Sequence, residues 1–266
     1  MKVYKYQATG NDFILTKTKP NDPSVFAKAV CDRHFGIGAD GILFPSSSAV
    51  SDIKMNYYNS DGTIAKMCGN GIRAFARFLY EEKIVNKIKF DIETLAGIKS
   101  VEVLNDGIKV NIGPANVHVG IPDLMHDIDA KTAYKFNAYS GYVLAVGTLH
   151  TVIYMNENSG IDILKAAPII QENNVFTDQT NVNFVEIINQ KTLSVQTFER
   201  GSGWTLSCGT GVSASVYHAI LKGYVTGSKI NVKVPGGQLE VDVYGESIYL
   251  IGPSKRIMEG EFHETN

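Results

Sequence analysis

The chain has 266 residues, 44% hydrophobic and 20% charged, with a formal net charge of −2. That length exceeds one ordinary core and suggests two domains of roughly 120 to 150 residues. The near-neutral charge gives no footprint for a nucleic-acid or membrane partner, and no signal-peptide core or run of about 18 apolar residues is present, so a soluble cytoplasmic protein is expected.

Along the first half, strand patterns fall at 3–6, 42–44, 53–58, 87–93, 99–103 and 108–112. A helix-like run, 25–30, leads into Cys31, read as a buried packing cysteine. Gly36-Ile37-Gly38-Ala39-Asp40-Gly41 matches GxGxxG, but a dinucleotide fingerprint needs a strand before it and a long helix after it. Here the order is reversed, so these glycines are assigned to a tight turn near the site. Asn105-Asp106-Gly107 sits between alternating flanks, a hairpin signal. Gly113-Pro114-Ala115-Asn116 breaks the pattern and marks the crossing into the second half. There, strands are expected at 142–146, 151–155, 181–188, 193–198, 230–234, 238–244 and 247–251, the last three forming a meander. The domains are then 1–115 plus 252–266, carrying Cys68, and 116–251, carrying Cys208. Each is a mixed sheet with one apolar helix through its middle, an α/β (α+β) class.

The strongest signal is a repeat. Met67-Cys68-Gly69-Asn70-Gly71 and Ser207-Cys208-Gly209-Thr210-Gly211 each place a cysteine before a Gly-polar-Gly turn, and each leads into an apolar run dense enough for a buried helix. A helix N-terminus offers unpaired N–H groups and a positive dipole end, which lower a thiol's pKa and bind a carboxylate. The chain's cysteines are three in number, Cys31, Cys68 and Cys208, with no CxxC pair, which argues against a disulfide scaffold and a zinc knuckle. Neither segment is a P-loop, since no Gly-Lys-Ser/Thr follows. A thiol protease would use one cysteine with a base and leave the second unexplained. Taken singly, each cysteine is also an acceptable small residue at a tight helix entry. The twin contexts fit stereoinversion better: one thiolate removes a proton from one face of a carbon while a thiol delivers one to the other. Backbone amides at the helix ends would carry the developing charge, so that neither metal nor other cofactor is required in principle.

Together these residues resemble the diaminopimelate epimerase family nearly end to end. The resemblance rests on Gly10-Asn11-Asp12-Phe13, on Cys31-Asp32-Arg33 with Gly36–Gly41, on Asn59-Ser60-Asp61-Gly62 through Arg73, and on Glu199-Arg200-Gly201-Ser202-Gly203 through Gly211. It implies two pseudo-symmetric α/β domains with an amino-acid substrate in the cleft between them, and a possible homodimer. It implies Cys68 and Cys208 as the acid/base pair, with Gly69, Asn70, Gly209 and Thr210 on the reacting carboxylate and His150 and Glu199 beside it. At the distal end it implies Asn11, Asn59, Asn181 and Arg200. By themselves Asn11 and Asn59 read as turn residues and His150 as structural. The chain departs from the family at Gly147-Thr148-Leu149-His150, where Gly-Asn-Pro-His is usual, and Thr148 takes the place of a substrate-contacting amide. Loss of one hydrogen bond to a charged group is worth about 1.5 to 3 kcal/mol, enough to alter substrate preference. Trp204 stands where a smaller or acidic residue is common, with bulk enough to reshape a pocket. The alternatives kept open are a racemase of the same architecture acting on another amino acid, and a binding protein without turnover.

Overall fold

The computed structural model describes residues 1–119, 128–155 and 160–263. The chain forms two compact units, Met1–Asn111 with Ile251–Asn266, and Ile112–Leu250.

The first unit contains β1 (Lys2–Ala8), β2 (Asn11–Leu15), α1 (Pro23–Cys31), β3 (Gly41–Ser46), β4 (Ile53–Asn59), α2 (Gly69–Glu81), β5 (Lys89–Thr94) and β6 (Gly97–Val103), and β7 (Ile108–Gly113) carries the chain onward. The second contains the short strands β8 (His118–Val119), β9 (Ile128–Asp129) and β10 (Tyr134–Phe136), then β11 (Tyr139–Val146), β12 (Thr148–Tyr154), α3 (Ile163–Gln171), β13 (Asn181–Asn189), β14 (Thr192–Glu199), β15 (Gly203–Thr205), α4 (Gly209–Leu221), β16 (Lys229–Val234) and β17 (Gly237–Tyr244). After β18 (Ser247–Gly252), β19 (Lys255–Glu261) returns to the first unit and pairs with β1.

Strand pairing shows that the sequence repeat is a repeat of folds. From β1 to β6 successive neighbours pair antiparallel, parallel, antiparallel, parallel, antiparallel. The ladder β11, β12, β13, β14, β16, β17 runs through the same order. Parallel neighbours need long crossovers, and each unit supplies two: α1 and α2 in the first, α3 and α4 in the second. The second crossover helix of each unit is buried along most of its length and packs on many strands. For α2 these are β1, β2, β3, β6 and β19; for α4 they are β11, β12, β13, β14 and β17. A helix buried nearly all round has no solvent face to offer, and packing against several strands at once is its stable solution.

Besides the short strands β8, β9, β10 and β15, three longer elements depart from the sequence reading. Asn11–Leu15 is a strand, paired with β1 and β3, although Asn11 reads as a turn residue. The helix Ile163–Gln171 carries Pro168 in its interior, which hides its pattern; Asp162 caps it and Ala166, Ala167 and Ile170 are buried on one side. Strand β19 has no buried residue to announce it and is held by its ladder to β1. Among the described residues no helix is long and apolar enough to cross a membrane.

Candidate functional site

In the first unit, Cys68 is the N-cap of α2, with extended backbone, and its Sγ accepts from Gly71 N–H at 3.4 Å. Gly69 and Asn70 are therefore the first two residues of that helix. The β1–β2 turn brings Asn11 beside the thiol: Cys68 Sγ and Asn70 Nδ2 each lie 3.4 Å from Asn11 Oδ1. The orientation of that amide follows from Asp40, whose carboxylate can only accept and takes the Asn11 Nδ2–H. Asp40 also accepts from Asp12 N and from Arg33, and Arg33 bridges to Asp12, itself paired with Lys5. Asn11 thus presents an acceptor to the neighbourhood of Cys68. Asn59, at the end of β4, gives its Nδ2 to Thr63 and shares no hydrogen bond with the Asn11–Cys68 group.

In the second unit, the β11–β12 turn holds Thr148 at the position that Asn11 occupies in the first repeat. Gly147 adopts φ of 71°, and a Cβ there would stand 3.8 Å from Thr210 Cγ2, so the turn lies against the start of α4. Cys208 is the N-cap of α4, and its Sγ is 3.5 Å from Thr210 Oγ1. His150 is fully buried, and burial pushes its pKa down to about 3, so its ring is neutral. Asn183 Nδ2 faces the carbonyl of Thr151 and His150 Nδ1, which makes Nδ1 an acceptor and puts the ring proton on Nε2. That proton points at Thr148 Oγ1, 3.2 Å away, and Asn181 Nδ2 points at the same oxygen from 3.3 Å. With both lone pairs of the hydroxyl taken, Thr148 has only its proton left, and the residue is exposed. Equivalent turns therefore present opposite polarity, an acceptor at Asn11 and a donor at Thr148.

Asn181 spends its remaining capacity inside the protein, on Leu149 O and on Arg200 N–H. It ties Thr148 to Arg200, whose guanidinium rests on the carbonyl and carboxylate of Asp178, both at 2.6 Å. Glu199 accepts from Thr205 at 2.6 Å. Cys208 does not follow the expectation that a helix end lowers the thiol pKa. Burial raises it well above the usual thiol range, the Glu199 carboxylate raises it further, and the Thr210 hydroxyl offsets only part of this. Trp204 packs its ring on Phe198 and Phe184, with centroids 5.3 and 5.8 Å away.

The structure thus gathers Asn11, Cys68, Gly69 and Asn70 in one unit, and Thr148, His150, Asn181, Glu199, Arg200, Cys208, Gly209 and Thr210 in the other. Sequence reasoning missed the supports: Asp40 and Arg73 in the first unit, the latter donating to Gly69 O and Thr9 Oγ1, and Asn183, which accepts from Thr197, and Asp178 in the second. Asp40 lies in the Gly36–Gly41 segment and Arg73 in the helix after Cys68, but only three-dimensional pairing reveals their partners.

Solved structures share this fold. A hydroxyproline epimerase from Agrobacterium vitis superposes with a TM-score of 0.69 at 14% identity, covering 98% of this chain and 91% of that one. A PhzF-family phenazine biosynthesis protein from Bacillus anthracis gives 0.67 at 15% identity over 99% of both chains. The class of the protein, an isomerase that acts as an epimerase, follows from its family model and its near-full-length relatives. The family model described as diaminopimelate epimerase matches residues 3–118 and 142–257. Relatives named diaminopimelate epimerase from Alkaliphilus metalliredigens and Methanococcus maripaludis are 39% and 38% identical, each over 98% of this chain and 97% and 99% of their own. The chain belongs to the diaminopimelate epimerase family.

Proposed function

We propose that the protein interconverts LL- and meso-diaminopimelate in the cytoplasm, as a step toward lysine and peptidoglycan precursors, by a two-base mechanism using the thiols of Cys68 and Cys208. The observation that carries the reading is the placement of one cysteine at the N-cap of the buried helix of each repeat. One cysteine, as thiolate, takes the α-proton; the other, as thiol, gives its S–H proton to the opposite face of the carbon. Charge developing on the substrate carboxylate is met by the helix ends at Gly69-Asn70 and Gly209-Thr210. No pyridoxal group is part of this scheme. At the distal end, the Asn11 oxygen suits the ammonium and the donors of Arg200 and Thr148 suit the carboxylate.

Proton NMR in D₂O under reducing conditions tests the reading, following the α-proton of LL-diaminopimelate beside a panel of other amino acids. The expected result is α-proton exchange with the diaminopimelate isomers and loss of epimer formation in both Cys68→Ala and Cys208→Ala. Exchange with another amino acid alone would transfer the mechanism to a different substrate. Epimer formation near the parent level in either variant would end the two-thiol scheme.

A further inference from the structure

Arg73 is fully buried on the first turns of α2, one helical turn from the Cys68 cap. Its Nη1 donates to Gly69 O and its Nη2 to Thr9 Oγ1, both at 3.0 Å, while its buried Nε has no hydrogen-bond partner. Among the described residues no carboxylate pairs with it. A buried cation without a counter-ion is costly, and here it adds to a helix end that is already positive. The anion this arrangement suits is the Cys68 thiolate, one peptide from the Gly69 carbonyl that Arg73 holds. Among the described residues, the groups of the β1–β2 turn and those behind it do not compete for the guanidinium. Thr9 and Asn11 of the β1–β2 turn are neutral, and Asp40 and Asp12 behind them are paired with Arg33 and Lys5. Glu81, at the far end of α2, is paired with Arg256.

The second repeat lacks this cation. Ser213 stands five residues after Cys208, as Arg73 stands five after Cys68, and its hydroxyl makes the equivalent bond to Gly209 O at 2.8 Å without a charge. Glu199, an acid, is the charged group that acts on Cys208.

We propose that Arg73 is a positioning residue that holds Cys68 as a thiolate, so that in the free enzyme Cys68 is the base and Cys208 the acid. Turnover from this state moves the substrate α-proton onto Cys68 and the Cys208 S–H proton onto the carbon, leaving the two cysteines in exchanged protonation states. Burial lowers the Arg73 pKa to about 10, and the charge of Cys68 raises it, so the guanidinium stays charged at neutral pH.

The inference rests on Cys68 being one of the two acid/base thiols, and its test needs neither substrate nor turnover. In a Cys208→Ala chain, iodoacetamide alkylation of Cys68 is followed by mass spectrometry between about pH 5 and 10. Cys31 stays silent because burial, with the Asp12 carboxylate behind it, pushes its thiol up to about 12. The expected midpoint lies below the value of about 8.5 for a free thiol. Arg73→Gln, which keeps hydrogen-bonding groups but no charge, should raise it by about one unit, a tenfold loss of thiolate at neutral pH. Arg73→Lys should restore most of the difference. An unchanged midpoint in Arg73→Gln, or an equal rise in Arg73→Lys, would overturn the proposal. If Arg73→Gln does not fold, a parent midpoint at or above about 8.5 overturns it as well. A chain that alkylates as expected yet exchanges no α-proton would instead sink the proposed reaction alone.

Discussion

Replacing Thr148 by valine keeps the β-branched shape and removes the hydroxyl whose oxygen accepts from His150 Nε2 at 3.2 Å and Asn181 Nδ2 at 3.3 Å. Asn181 retains Leu149 O as an acceptor at 3.0 Å, so the lasting loss falls on the neutral, fully buried imidazole of His150. An unsatisfied buried donor costs about 1 to 3 kcal/mol, a visible fall in urea midpoint. The hydroxyl proton, forced outward by two inward donors, is the part that reaches a ligand. If it donates to a carboxylate, its removal costs about 1.5 to 3 kcal/mol of binding, roughly 10- to 150-fold in kcat/KM. The loss should appear mainly in KM, because a distal contact is made in ground and transition states alike. Thr148→Ser restores both functions with the smallest change in shape. Steady-state kinetics with LL-diaminopimelate, alongside urea unfolding of both variants, makes the comparison. If Thr148→Val loses stability but keeps its KM, the outward proton serves no ligand and the polarity argument for this turn fails.

Asp40→Asn should raise KM several-fold with little change in kcat, because an amide at that position can turn Asn11 over and replace its oxygen by a donor; unchanged kinetics would show that Asn11 is held by Cys68 and Asn70 alone. Gly211→Ala should destabilise the chain by about 1 to 3 kcal/mol, since its Cβ would stand 2.2 Å from Asn183 Oδ1. A stabilisation, as an ordinary helical alanine would give, refutes the close approach. His218 donates Nε2–H to Ala130 O and accepts from Tyr154 OH, both at 2.9 Å, and burial lowers its pKa to about 4. An unfolded histidine near 6.5 binds the proton that the native ring refuses, so stability is full above that pH and falls by up to about 3 kcal/mol as pH drops from 6.5 to 4. Urea unfolding of His218→Phe should show a shallower pH slope over that window, and parallel slopes would assign the acid loss to other groups.

Periodicity and turn chemistry carry most of the sheet, because its strands alternate or run apolar between clear breaks. They fail where a strand is set by its neighbours instead of its own pattern. Asn11–Leu15 begins with a turn-like asparagine yet pairs on both sides, and Lys255–Glu261 is strand only through its ladder to Lys2–Gln7. At the site, the twin Cys-Gly-polar-Gly segments are legible because a helix entry is local. The orientation of Asn11, the tautomer of His150 and the donor role of Thr148 each depend on a partner at least two strands or a crossover away, and no spacing rule in the chain encodes them.

The same contrast explains what the repeat preserved and what it let diverge. The order of parallel and antiparallel pairings is kept because a crossover helix that is buried all round tolerates no change in the number of strands around it. The residues at equivalent turns were free to diverge, since each needs only partners within its own unit. Asn11 faces inward with an acceptor because a carboxylate stands behind it, and Thr148 faces outward with a donor because a histidine and an asparagine do. Arg73 and Ser213 make the same bond to the first helical carbonyl, but only one carries charge. The proposed two-thiol reaction calls for thiols of opposite protonation at the start of each turnover. Two units with one backbone plan and differently charged groups at the first helical carbonyl would meet that need without any difference in fold.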